Sequence, residues 1–339
     1  MQGVIKYIIF IFCLIMLTTC VVPFEVPVSQ LKRDYTVSGI ITDNPGPYSV
    51  KMAYSSAYAK DVAGYNQPVL GAWVTINDEE SGEHVTLTYQ KAGVYVSDSL
   101  FRGKVNHHYH LRILTIEGDM LVSKPELLPP LNTVVTTHHE YVNESDLNPE
   151  GDKVWITMTD DPGEANYYRW KYEGVYRFST FSWMVDPHQT YCWRYEYFNT
   201  DLMLASDHLI NGKSFKQDIT VVPYFSSTPY LLTIYTLSLT EEAYNFWNLV
   251  ERQINNSGGI FGSPPSDIQG HLYCVNDPKK EVLGYFGASS MIKSQVFLTH
   301  EGYPRPLHPL VFDSIPCVEY SHAQLVTCCP TNYPDGWEH

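Results

Sequence analysis

The chain has 339 residues, a formal net charge of −15, 44% hydrophobic residues and 17% charged residues. That length is large for one core and suits two domains of ordinary size, and the absence of low-complexity blocks argues for a globular chain rather than a disordered one. The acidic balance argues against nucleic acid and anionic lipid as partners, because phosphate recognition needs clustered Lys and Arg.

The first element is an address. Lys6 precedes an unbroken apolar run, Tyr7 to Leu17, and Leu17-Thr18-Thr19-Cys20 follows. An apolar helix of that length rises only about 16 Å, roughly half of a hydrocarbon core, so it reads as a secretory segment and not a span. Residues 1–19 are therefore expected to be a lipoprotein signal peptide, with Cys20 as the lipidation site that holds the protein to the bilayer. The alternative is a cleaved signal followed by an incidental cysteine. Residues 20–33 then form a short tether kept extended by Pro23 and Pro27.

From residue 34 to 130, short β-type runs alternate with turn clusters: Tyr35 to Ile41, Tyr48 to Tyr54, Ala72 to Ile76, Val85 to Tyr89, Val94 to Ser97 and Tyr109 to Ile116. Tyr109, Leu111 and Ile113 share one parity and His110 and Arg112 the other, which is the pattern of a half-buried strand. An immunoglobulin-like β-sandwich is expected. Pro125, Pro129 and Pro130 break the pattern and place a boundary near Leu131.

Residues 131–339 are expected to form a larger β-rich domain, with strands at Val154 to Thr159, Tyr167 to Phe178, Tyr191 to Phe198, Ile219 to Val222, Tyr230 to Leu237, His271 to Val275 and Gln295 to Leu298. One conspicuous helix is expected near residues 239–255. Ser238 is the predicted cap with Glu241 three residues on, and Ala243, Phe246, Trp247, Val250 and Ile254 form an apolar face. Arg252 is expected to complement the dipole near its end. The fold class is thus mainly β with a single marked helix.

Local catalytic signatures are missing: the chain has no nucleophile elbow, phosphate loop, zinc-protease helix or dinucleotide fingerprint, and nothing calls for a cofactor. His108 and His110 fall on one face of a strand, beside His107, as two metal ligands would. The competing reading is an exposed polar face, favoured because a third ligand is not nearby in sequence. Asp160, Asp161 and Glu164 crowd a turn and offer carboxylates to a hard cation, although Asp before Pro-Gly is ordinary turn chemistry. Aromatic residues concentrate between Tyr167 and Phe198. Trp170, Tyr172, Trp193 and Tyr195 are candidate ligand-stacking residues, against the favoured reading that they are core and that Arg169, Lys171 and Glu173 face solvent. Cys317 with Cys328 or Cys329 is a candidate disulfide near the C-terminus, and Cys192 and Cys274 are equally well read as buried thiols.

Several phrases occur in a fixed order: Ile41-Thr42-Asp43, Gly46-Pro47-Tyr48, Asp161-Pro162-Gly163-Glu164-Ala165-Asn166-Tyr167, Ser238-Leu239-Thr240-Glu241-Glu242-Ala243, Gly258-Gly259-Ile260-Phe261, Leu283-Gly284-Tyr285-Phe286-Gly287-Ala288-Ser289, and a double cysteine before a Trp. Together with the lipoprotein signal they resemble the Bacteroidota outer-membrane lipoproteins known as domain of unknown function 4249. The resemblance implies lipid anchoring at the outer membrane, on its periplasmic or cell-surface face, and an accessory role beside a TonB-dependent nutrient transporter. It carries over no catalytic or binding residues. An envelope or polymer-degrading hydrolase with scattered catalytic residues and a structural envelope lipoprotein are the rival expectations.

Overall fold

The structure is a computed structural model that describes residues 34–54, 67–146, 148–160, 162, 165–181, 191–207, 212–224, 228–256, 268–299, 311–313, 318–321, 324–327 and 335–337. All of them belong to one compact unit. In chain order the first strands are β1 (Tyr35–Thr42), β2 (Ser49–Tyr54), β3 (Gln67–Pro68), β4 (Trp73–Asp78), β5 (His84–Lys91), β6 (Val94–Val96), β7 (His108–Leu114), β8 (Met120–Ser123) and β9 (Glu126–Leu127). There follow β10 (Val135–Val142), β11 (Gly151–Thr159), β12 (Tyr167–Phe181), β13 (Tyr191–Ser206), β14 (Ser214–Pro223) and β15 (Tyr230–Leu239). The helix α1 (Glu241–Asn256) precedes β16 (Leu272–Cys274), β17 (Val282–Ser289), β18 (Met291–Leu298), β19 (Val311–Asp313), β20 (Val318–Ser321) and β21 (Gln324–Thr327). The protein is mainly β, with a single helix among the described residues, as its alternating apolar pattern predicts.

The first sheet runs β16-β8-β7-β4-β5-β6-β2-β1-β17. It doubles over at β5, whose first half pairs with β4 and whose second half pairs with β6. The two layers close on one core that includes Val37, Val50, Met52, Val74, Ile76, Tyr95, Leu111, Ile113, Leu121 and Phe286. The chain passes from this sheet to the second between Leu127 and Val135, and two later strands, β16 and β17, return to the first. The last of these lies parallel to β1, with Tyr35 opposite Val282 and Thr42 opposite Ser289.

The second half stacks a three-stranded sheet, β10-β11-β14, on the sheet β13-β12-β15-β18. Val154, Ile156, Met158, Ile219 and Val222 meet Tyr168, Trp170, Tyr172, Tyr176, Leu232 and Ile234 between them. The other face of the larger sheet is also covered. Near one end α1 lays Ala243, Tyr244, Phe246 and Trp247 against Tyr167, Leu204, Leu239 and Tyr285, and elsewhere Trp337 packs on Val175, Leu231, Trp193 and Phe297.

Three sequence expectations for the helix change. Thr240, not Ser238, caps it: the Thr240 hydroxyl accepts the Ala243 N–H at 3.1 Å. Ser238 remains in β15, where its hydroxyl donates to the Pro129 carbonyl and accepts the Ser290 N–H. No basic residue occupies the last turn, so Arg252 stops short of it, and Ile254 is exposed rather than packed.

Ser290 is the one residue between β17 and β18, so a nearly continuous ribbon passes from the first sheet into the second. Its hydroxyl donates to the Pro129 carbonyl at 2.7 Å. Next to it the Met291 N–H donates to Asp43, and Asn44 donates to the Met291 carbonyl. The junction is therefore tied to the first crossover and to the turn after β1.

Candidate functional site

Strand alternation determines which side chains the outer layer of the first sheet presents. Val74, Ile76, Tyr109, Leu111 and Ile113 fill the core, so Trp73, Thr75 and Asn77 of β4 and His110, Arg112 and Leu114 of β7 point outward. Register places Trp73 beside Leu114 and Thr75 beside Arg112, and Leu114 beside Met120 on β8. These residues, with Asn77 and His84, line a groove of about 390 Å³.

Trp73 is 63% exposed and Leu114 44%. Leu70, Ile116, Tyr273 and Val275 are exposed around them. Among the described residues the Arg112 guanidinium has no ion-pair partner. An exposed Trp and Leu around an unpaired Arg form an unusual free surface, because solvent-facing strand positions are normally polar and scattered apolar groups do not line a groove. The signal was present in the sequence: Trp73 and Leu114 fall on the outward parity of their strands.

Three histidines meet carboxylates at the end of β4, two of them on this outer face. His107 Nδ1 lies 2.9 Å from Asp78 and His108 Nδ1 lies 2.7 Å from Glu80. His110 Nδ1 lies 2.6 Å from Glu79 without the alignment of a hydrogen bond. His108 and His110 share a face, as the strand period predicts, but each is matched to its own carboxylate in the turn after β4.

Among the described residues, the three groups near enough to share a cation are Asp78, Glu80 and His107, whose ligand atoms lie within 4.8 Å of one another. Their hydrogen bonding fits a capped turn better than a metal centre. Asp78 is buried, and its Oδ1 already accepts the Glu80 and Ser81 N–H groups at 3.0 Å, while Tyr109 and His107 occupy its Oδ2. Burial works to raise the Asp78 pKa, yet hydrogen bonds from Ser81 and His107 outweigh it and hold the carboxyl down at about 2.

A carboxyl held below its usual 3.8 contributes stability above that value and loses it as pH falls through the folded value. We expect about 2 kcal/mol to disappear between roughly pH 4 and pH 2. Asp78→Asn should lack this part of the acid loss, which urea unfolding across that range measures.

The aromatic candidates separate. Trp170 is fully buried and Tyr172 nearly so, both in the second core. Trp193 is partly buried against Trp337, and Tyr195 is 36% exposed. They do not converge on one open face, in keeping with the favoured core reading. Solvent exposure of Arg169 does not hold: it is 8% exposed beneath α1, because this sheet is covered on both sides. Asp160 is buried and accepts the Tyr168 hydroxyl at 2.5 Å and the Gly212 N–H at 3.0 Å, a structural role. Asp161 and Glu164 lie outside the described residues, as do Cys20, Cys317, Cys328 and Cys329. Cys274 is a buried thiol.

Comparison with known proteins adds a family. The sequence model of a family described as a domain of unknown function (DUF4249) matches residues 21–295, most of the chain. The chain belongs to that family. Within the matched span of this family member lie β1 to β17 and both rows of the exposed groove. No curated protein matches the chain. Among solved structures, trypsin-activated alpha-2-macroglobulin from Escherichia coli aligns with 64% of this chain and 15% of its own, at 9% identity and a TM-score of 0.18. The chain therefore spans a small part of that protein's length, and an alignment of this quality carries no argument about fold or function.

Proposed function

We propose that the protein is a lipid-anchored binding protein of the outer membrane, accessory to a TonB-dependent nutrient transporter, and that it docks its partner through the outer face of the first sheet. The observation that carries this reading is the groove formed by Trp73, Arg112, Leu114 and Met120. An exposed Trp beside an Arg that has no ion-pair partner among the described residues has the composition of an interface centre, where aromatic and Arg anchors supply most of the binding energy. The His108–Glu80 pair and His110 beside Glu79 supply a polar rim. Acylation of Cys20 and the short tether after it would keep this face close to a membrane partner.

The test is a native pull-down of the tagged protein from detergent-solubilised outer membranes. The wild type should recover a TonB-dependent transporter in near-equal amount. Trp73→Ala and Arg112→Ala should lose it, while changing stability by less than about 0.5 kcal/mol because both side chains face solvent. Recovery of the protein alone, from membranes in which known complexes survive, overturns the accessory reading. Recovery with both variants overturns the assigned face.

A further inference from the structure

Two cations of β12 that have no acidic partner among the described residues point to a site that the groove does not involve. On β12, Trp170 fills the core, so Arg169 and Lys171 project from the opposite face, where α1 lies. Arg169 is 8% exposed, its guanidinium carbon lies 3.7 Å from the centre of the Trp247 ring, and its Nε has no hydrogen-bond partner. Register sets Leu204 and Leu237 on either side of it. Lys171 stands one pleat further along, opposite Tyr235.

Neither cation has an acidic partner among the described residues, although the chain has 37 acidic residues against 22 basic ones. The nearby charges are otherwise engaged. Glu173 accepts the Tyr235 hydroxyl at 2.6 Å, and Lys293, which also faces Tyr235 across the sheet, pairs with Asp335 at 2.8 Å. Burial alone pushes Arg169 down to about 10, and burial with repulsion from Arg169 pushes Lys171 down to about 8. Keeping a buried Arg beside a half-buried Lys, with no acidic partner among the described residues, is costly, and proteins normally replace such groups with apolar residues or supply a counter-charge.

We propose that Arg169 and Lys171 form a binding site for an oxyanion group, carboxylate or phosphate, of a small ligand. The Arg fork and the Lys ammonium supply charge-assisted donors of suitable geometry. Trp247 holds the guanidinium from one side through a cation–π contact. This proposal does not rest on the docking reading above.

The test uses the purified protein, with inorganic phosphate and succinate as separate probes and sodium chloride at matched ionic strength as the control. Thermal unfolding and calorimetry should show stabilisation by one of the two oxyanions and none by chloride, and which probe acts distinguishes phosphate from carboxylate ligands. Lys171→Met and Arg169→Met should each weaken that binding roughly tenfold or more. Each should also raise the melting temperature in chloride alone, because an uncompensated charge has been removed; a purely structural cation would lower it. If Arg169→Met does not fold, Lys171→Met decides. Equal stabilisation by chloride, or oxyanion binding unchanged in Lys171→Met, overturns the site.

Discussion

Gly284→Ala should lower stability by more than about 4 kcal/mol, enough to unfold a protein of ordinary stability. Gly284 has φ +103°, a region that side-chain-bearing residues rarely adopt, and a Cβ there would lie 2.0 Å from the Val37 carbonyl oxygen on β1. The obstruction is backbone, so no rotamer change relieves it. Nor can the strand retreat, because Gly270 packs against the Gly284 carbonyl so closely that its own added Cβ would fall 1.6 Å from that oxygen. Three stretches of main chain meet at one point, and relief requires β1 and β17 to part. Gly287→Ala is the control. Its Cβ would meet nothing nearer than 3.7 Å and φ imposes no strain, so its effect should stay within about 1 kcal/mol. Urea midpoints of the two variants measure the contrast; equal loss would mean that strand propensity, not backbone approach, sets the cost.

Glu126→Gln should stabilise the protein at pH 8 to 9 by about 3 kcal/mol and change it little near pH 4. Glu126 is 2% exposed where the first sheet meets α1, and it accepts the Thr240 hydroxyl at 2.5 Å and the Tyr285 hydroxyl at 2.6 Å. Burial raises its pKa to about 7, aided by Glu242 and only partly opposed by those two hydroxyls and by His108. The folded state therefore binds its proton more tightly than the unfolded state does, and the contribution is complete below the usual 4.5 and lost as pH rises through 7. Gln keeps the neutral form at every pH. His271, which packs on the Tyr285 ring with centroids 3.9 Å apart, titrates in the opposite sense. Burial pushes it down to about 4, so its contribution is present above 6.5 and falls away in acid. Because His271 is common to both proteins, the difference between wild type and Glu126→Gln isolates the carboxyl. Parallel stability profiles from pH 5 to 9 would show that Glu126 is ionised in the folded protein throughout.

What could be read from the sequence follows physical locality. Tyr109, Leu111 and Ile113 alternate with His110 and Arg112, and β7 has that parity because the pattern is written within seven residues. The strand β17 carries two glycines and β10 reads Thr-Thr-His-His-Glu, so neither shows a usable alternation, and both were missed. The pairing of β1 with β17 leaves no local trace at all. Alternation predicts a solvent-facing Arg169 because it reports which residues lie opposite the core, and it is silent about a helix that later covers the second face. The histidine rim was half legible: the shared face of His108 and His110 follows from strand period, whereas their carboxylates come from a turn some thirty residues earlier. The run Leu283 to Ser289 is one of several phrases that carry the family resemblance, and Gly284 within it marks a backbone contact that propensity alone does not reveal.

The return of β17 to the edge of β1 sets an order of events on the chain as it is made. A polypeptide emerging from its N-terminus presents β1 with one edge paired to β2 and the other bare, and the partner for that bare edge arrives only after the whole second sandwich and α1 have emerged. Contacts so distant in sequence form slowly, and an open edge invites pairing with another chain in the interval. A fragment ending before residue 282 keeps that edge permanently, so shortened versions of this protein should associate through β1 even where their remaining strands fold.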